Sequence, residues 1–416
     1  LDYWGREIMF PVKKGYQGQK SYHYLRRGID YPDFVLAKEV DRVEIFLVPL
    51  NREQERELLE LVKKHPVVGL HEHVSVTPED PSKLPDYERS GREHTAFEGL
   101  SRSCFDAVFD NLMDGTCIIS GPGGWKWTDV LHDLGMRSCD IDHQGFLFQA
   151  RKVEDIFRAK SEGRIAWFLS CECATPLENE LDRIEILYGF GLRMMGIVYS
   201  ESNMCGSGLK EEGDGGLTSF GHKVVDRLNR VGIAIDVSHC GDRTAKEVIK
   251  ASRKPVFFTH VGCRALWDMK RLKDDDLFKL CAEHGGVIGV EAAPHTTVTR
   301  NNPVHSIDSV MEHFEYLVDL VGIDHVAFGI DALYGDHVAL HEVFSSNMST
   351  EETHQKSRSE AEHPPKVEYV RGLENPTEAS WNVIRWMVSK GYSEEQIAKV
   401  IGGNAIRVLK DAFIPV

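Results

Sequence analysis

From residue 65 onward the chain repeats one pattern. A short, almost continuously apolar run is followed by a longer stretch whose apolar residues recur at helical spacing. Eight such runs are Val67–Leu70, Thr116–Ser120, Ile165–Ser170, Met194–Tyr199, Ile233–Ser238, Pro255–Thr259, Val287–Val290 and His325–Ile330. Unbroken apolarity suits strands buried on both faces of a parallel sheet. The stretches between read as helices. Leu217–Arg230 carries Phe220, Val224, Val225 and Leu228, and Ser309–Val321 places Val310, Phe314, Leu317 and Val321 on one face. Asp242–Ser252 opens on a capping residue. Ser393-Glu394-Glu395-Gln396 spells a capping box for the last helix, which Gly402-Gly403 are expected to close. Strand and helix alternating eight times predict an α/β chain folded as a (β/α)8 TIM barrel over residues 66–416.

Two regions fall outside the alternation. Residues 1–65 are aromatic and charged and are expected as an N-terminal extension packing on the barrel. Residues 336–372 are polar and rich in His, Glu and Ser. They read as an insertion after the eighth strand, serving as a lid, as a contact between copies or as plain surface. A homodimer is the expected assembly.

Composition narrows the partners. The 416 residues carry 49 Lys and Arg against 65 Asp and Glu, a net charge of −16, which disfavours nucleic acid and anionic membranes. No run of about 18 apolar residues occurs. Leu1 to Lys14 is broken by Arg6, Glu7 and Pro11 and lacks the apolar core of a signal peptide. Nine cysteines, an odd number without a CxxC, read as buried thiols in a reduced, cytoplasmic protein.

In a parallel barrel the reactive groups stand at the carboxyl ends of the strands. Here those ends carry His71-Glu72-His73, then Glu172, Tyr199, His239, His260, Glu291 and Asp331. Residues two apart on an extended chain face one side, so His71 and His73 can share one ion. Four imidazoles and two carboxylates, Glu172 and Asp331, then converge on one mouth. Nitrogen and oxygen ligands suit Zn²⁺, Mn²⁺ or Fe²⁺. Six are too many for one tetrahedral ion, so two ions bridged by Glu172 are expected. Cys171, Cys173 and Cys240 are either ligands or small apolar fillers, and Glu291 is a ligand or orients one. Gly213-Asp214-Gly215-Gly216 lacks the Lys-Ser/Thr of a phosphate loop. Arg271 is either a surface charge or a guanidinium gripping a substrate carboxylate.

Several blocks together resemble the membrane (renal) dipeptidase family of metallopeptidases. They are Gly215-Gly216-Leu217-Thr218-Ser219-Phe220-Gly221, Asn229-Arg230-Val231-Gly232, Asp236-Val237-Ser238-His239 and Pro255-Val256-Phe257-Phe258-Thr259-His260, with Gly391-Tyr392-Ser393-Glu394-Glu395 and Gly402-Gly403-Asn404 near the end. The resemblance implies an amidohydrolase-like barrel with two bridged zinc ions. It implies that His71 and residue 73 hold one ion, His239 and His260 the other, and that Glu172 bridges. It implies Asp331 as the acid/base carboxylate, Arg271 as the substrate-carboxylate clamp and Tyr199 as a substrate contact. The expected reaction is hydrolysis of a dipeptide or dipeptide-like amide with a free carboxylate. The alternatives are a non-peptide amide or lactam and, further off, a non-catalytic metal scaffold. The chain departs from the family's His-x-Asp by having His73, and Asp331-Ala332-Leu333-Tyr334-Gly335 lacks the usual second Asp.

Overall fold

A computed structural model describes residues 10–111, 125–348 and 364–414. Eight parallel strands form one sheet in chain order: β1 (Val68–Glu72), β2 (Ala107–Asn111), β3 (Ile165–Cys171), β4 (Leu192–Gly196), β5 (Ala234–Asp236), β6 (Phe257–Val261), β7 (Val287–Val290) and β8 (Val326–Phe328). Just beyond the ends of β8 and β1, Asp331 N–H donates to His71 O and His73 N–H to Ala332 O, both at 3.0 Å, which draws the first and last strands together. The result is the expected (β/α)8 barrel. A ninth short strand, Leu147–Gln149, pairs with β3 from outside the ring order.

Two apolar layers follow from the period of two along each strand. Val68, Leu70, Ala107, Phe109, Ala166, Phe168, Phe257 and Ala327 form one cluster with Ala405, Ile406 and Leu409 of the C-terminal helix Asn404–Ala412. Val108, Trp167, Leu169, Phe258, Ile288 and Phe328 form the other, against the surrounding helices.

The sequence reading needs correction in four places. The second barrel strand is Ala107–Asn111; Thr116–Ser120, which was expected there, lies outside the described residues. Asp110 and Asn111 interrupt the apolar run and hide the strand, and Asp110 is buried because Arg137 and Trp167 Nε1 donate to it. The helix Asp242–Ala251 is not capped by its own first residue. Asp214 caps it from a distance, accepting from Arg243 N at 2.7 Å and Thr244 N at 3.1 Å, which gives the Gly213–Gly216 segment a structural role. Gly402-Gly403 do not end a helix. The chain runs on through a π-turn, Lys399–Gly403, into Asn404–Ala412. A Cβ on Gly402 would stand 2.3 Å from Pro66 O, so glycine serves close packing there. The thiols are not all hidden, since Cys139 is exposed. The Ser393 capping box forms as expected.

Outside the ring, residues 10–50 run as irregular chain over the barrel. Phe10 stacks on Trp381, and Asn382 Nδ2 donates to Phe46 O at 2.6 Å. Helix Arg52–Lys64 follows and is tied to helix Pro376–Ser389 by Glu55 and Arg385. After β8, helix His337–Met348 lays Leu340 against Leu84 and Leu333, beside Tyr199. Among the described residues no helix is long and apolar enough to cross a membrane.

Candidate metal centre

The strand ends bring the expected side chains into one buried mouth. Irregular registers fall beside them: between Gly69 and Glu72 on β1, between Leu169 and Ser170 on β3, and between Ile288 and Val290 on β7. Such irregularities re-aim side chains next to functional sites. Close backbone approach helps. A Cβ on Gly196 would lie 1.8 Å from Glu172 O, so only glycine lets β4 sit this close to the backbone of Glu172.

Glu172 is central. Its Oε1 lies 3.6 Å from His71 Nε2 and 3.5 Å from His73 Nε2. Its Oε2 lies 3.2 Å from His239 Nε2 and 4.0 Å from His260 Nε2. Asp331 Oδ1 is 3.2 Å from His73 Nε2 and 3.6 Å from His71 Nε2. One carboxylate thus turns one oxygen to each histidine pair. Two atoms each about 2.1 Å from a common ion stand roughly 3–4 Å apart, the range in which these separations fall; His239 Nε2 also lies 2.9 Å from His260 Nε2. His71 Nε2 is buried with no hydrogen-bond partner among the described residues. His71, Glu172 and His260 form one group able to hold an ion, and His71, His73 and Asp331 another.

The protonation states suit the same use. Burial lowers His71 to about 3 and His239 to about 4, and drives His260 well below its ordinary value. They stand as neutral imidazoles, the form a metal takes. Burial pushes the Asp331 carboxyl up, but the hydrogen bond from His73 together with the surrounding imidazoles of His260, His71 and His73 brings it well below its ordinary value. Asp331 also holds φ +58°, a left-handed conformation tolerated better by Asp and Asn than by most residues.

A chain of hydroxyls orients the imidazoles, and the sequence reading passed over it. Thr259 Oγ1 lies 2.7 Å from His260 Nδ1 and 3.3 Å from His71 Nδ1. It lies 3.3 Å from Ser238 Oγ, which donates to Asp236 Oδ1 at 2.6 Å. If both Nδ1–H groups donate to Thr259, its proton goes to Ser238, and both Nε2 lone pairs face the mouth. The signal was a hydroxyl residue immediately before a strand-end histidine. His337 is a second omission. It is buried on the first turn of its helix, with its ring 4.6 Å from that of His341 and near enough to feel the charges of Asp331 and His73.

The remaining expected residues sit as follows. Tyr199 lies three residues past β4 and stacks on His239, ring centroids 4.2 Å apart. Arg271 is fully buried, and its Nη2 meets Glu291 Oε2 at 2.5 Å and His260 O at 2.9 Å. Glu291 is grouped with His260 and Asp331 as a further possible ligand. Burial drives the Cys171 and Cys240 thiols up to about 12 and Cys173 well above its ordinary value, as protonated fillers of the core. Glu72 turns away from the histidines and accepts from Ile330 N.

Comparison with known proteins adds to this geometry. The family model for membrane dipeptidase, peptidase family M19, matches residues 55–350. Dipeptidase aclJ of Aspergillus oryzae is 26% identical over 288 residues, 68% of this chain and 59% of that protein. The chain therefore spans about three fifths of that relative's length. Dipeptidase tcpJ of Claviceps purpurea is 24% identical over 390 residues, 85% of this chain and 83% of that one. Among solved structures, an amidohydrolase from Pseudomonas aeruginosa superposes with a TM-score of 0.68 at 25% identity, covering 86% of this chain and 99% of its own.

Proposed function

Since the chain belongs to the membrane dipeptidase family, peptidase family M19, we propose that it is a metal-dependent hydrolase that cleaves the amide bond of a dipeptide-like substrate. His71 and His73 would hold one divalent ion, His239 and His260 a second, with Glu172 between them and zinc the first candidate. The observation that carries this reading is the placement of the two Glu172 oxygens, one toward each histidine pair. When bound, such ions supply a water acidic enough to be a nucleophile near pH 7 and polarise the scissile carbonyl.

The protein's own groups do the rest. Asp331 accepts the proton of the attacking water and delivers it to the leaving amine, and its carboxylate form at neutral pH fits the first of these steps. Thr259, Ser238 and Asp236 keep the imidazoles turned toward the mouth. Tyr199, which stacks on His239, would contact the substrate beside the second ion. Burial of the whole mouth strengthens each of these electrostatic contacts.

The test is a hydrolysis screen over dipeptides and N-acyl amino acids, with metal analysis of the same sample. The expected result is turnover that a chelator abolishes and added zinc restores. Turnover that survives complete metal removal would overturn the reading.

A further inference from the structure

Strand β2 ends on a buried polar residue, Asn111. It is 1% exposed, and its Nδ2 is buried with no hydrogen-bond partner among the described residues. An unpaired amide in the interior costs stability, so its retention calls for a use. Its placement shows which. β2 stands between β1 and β3 in the sheet, whose ends carry His71, His73 and Glu172. Asp110 pairs with Glu72 of β1, and Asn111 with Ser170 of β3. Asn111 is therefore level with His73 and two residues short of Glu172. Asp110 points outward, where Arg137 of helix Trp127–Asp142 and Trp167 Nε1 donate to it. Successive side chains on a strand alternate, so Asn111 points into the barrel. It shares that face with Phe109 and Phe168, whose rings stack 4.7 Å apart, and so with Glu172 further along β3.

We propose that Asn111 is a further ligand of the ion held by His71 and His73, binding it through the side-chain oxygen. This rests on the two-ion reading of the mouth. A half-turn about χ2 exchanges Oδ1 and Nδ2, so an oxygen can take the place of the unpaired Nδ2. A carboxamide oxygen is a neutral ligand. It adds to His71, His73 and Glu172 without adding negative charge, and so leaves the ion's effect on a bound water undiminished. Carbonyl oxygen also suits Mn²⁺ better than imidazole does, so Asn111 widens the range of ions this site accepts.

Metal binding tests this without turnover. Wild type, Asn111→Ala and Asn111→Asp, each stripped of metal, are titrated with Zn²⁺ and with Mn²⁺ against a chromophoric chelator. Anomalous diffraction at limiting zinc then assigns occupancy to each histidine pair. Asn111→Ala should weaken the site of His71 and His73 roughly tenfold or more for Zn²⁺, the least that losing even an outer partner costs, and further for Mn²⁺. The site of His239 and His260 should keep the larger share of its affinity. Asn111→Asp puts an anionic oxygen in the same place and should tighten the first site. A merely structural amide would not produce opposite shifts in these two variants. If the alanine variant does not fold, Asn111→Ser takes its place with the same expected loss. First-site affinity unchanged in Asn111→Ala, as when Asn111 serves only a buried water, would overturn the proposal and leave the two-ion reading standing. Equal losses at both sites would also overturn it. No zinc beside His71 and His73 in wild type would overturn both.

Discussion

At the scale of single residues, the chemistry depends on which nitrogen of each histidine faces the mouth. Thr259 settles that for His71 and His260. Thr259→Val should weaken metal binding about 10- to 100-fold, the usual cost of removing an outer-shell partner, and Thr259→Ser should largely restore it; competition with a chromophoric chelator measures both. Asp331→Asn keeps a residue type that tolerates φ +58°. It should retain metal while kcat falls roughly 10²- to 10⁴-fold, the size of a general acid/base contribution; paired metal analysis and turnover check this. His73→Asp would add one negative charge at the proposed first ion site. The second ion should be held more firmly, and the lower limb of the pH–rate profile should move to higher pH, because added negative charge makes the water less acidic. Most of these residues were legible in the sequence, because ligand-type side chains at strand ends stand out against apolar runs. The pairing of Arg271 with Glu291 was not, since the two lie 20 residues apart in the chain.

At the scale of elements, legibility followed the purity of the pattern. Val287–Val290 agrees residue for residue with β7, being apolar throughout and flanked by polar chain. β2 was missed because two of its five residues are polar, Asp110 being held in the interior by distant partners. The cap of helix Asp242–Ala251 was misassigned for the same reason: the capping carboxylate, Asp214, comes from 28 residues upstream. Asp214→Ala should cost about 0.5–2 kcal/mol, the range for loss of an N-cap, seen in chemical denaturation as a lower midpoint with an unchanged slope. Gly196→Ala should do more harm to function than its size suggests. A methyl group 1.8 Å from Glu172 O forces β3 and β4 apart, and metal content should drop along with stability.

Across the whole molecule, a set of histidines is kept neutral by burial. Beyond the metal centre, His94 and His313 are each lowered to about 4, burial being the main cause for both. A folded-state pKa below the unfolded value near 6.5 means the unfolded chain binds the proton more readily. Stability is then full above about pH 6.5 and falls as the pH drops toward 4, each histidine contributing up to about 1.4 kcal/mol per pH unit. Thermal unfolding of the metal-free protein should therefore show Tm nearly flat from pH 7 to 8 and declining below 6.5. A Tm that rises on acidification across that window would contradict the burial of neutral histidines. The central claim is that one carboxylate, Glu172, divides four histidines into two ion sites. Anomalous diffraction at the zinc edge from zinc-loaded crystals tests it most directly. The account predicts two peaks, one beside His71 and His73 and one beside His239 and His260, with Glu172 between them. No peak within coordination distance of Glu172, or peaks only at other residues, would contradict it.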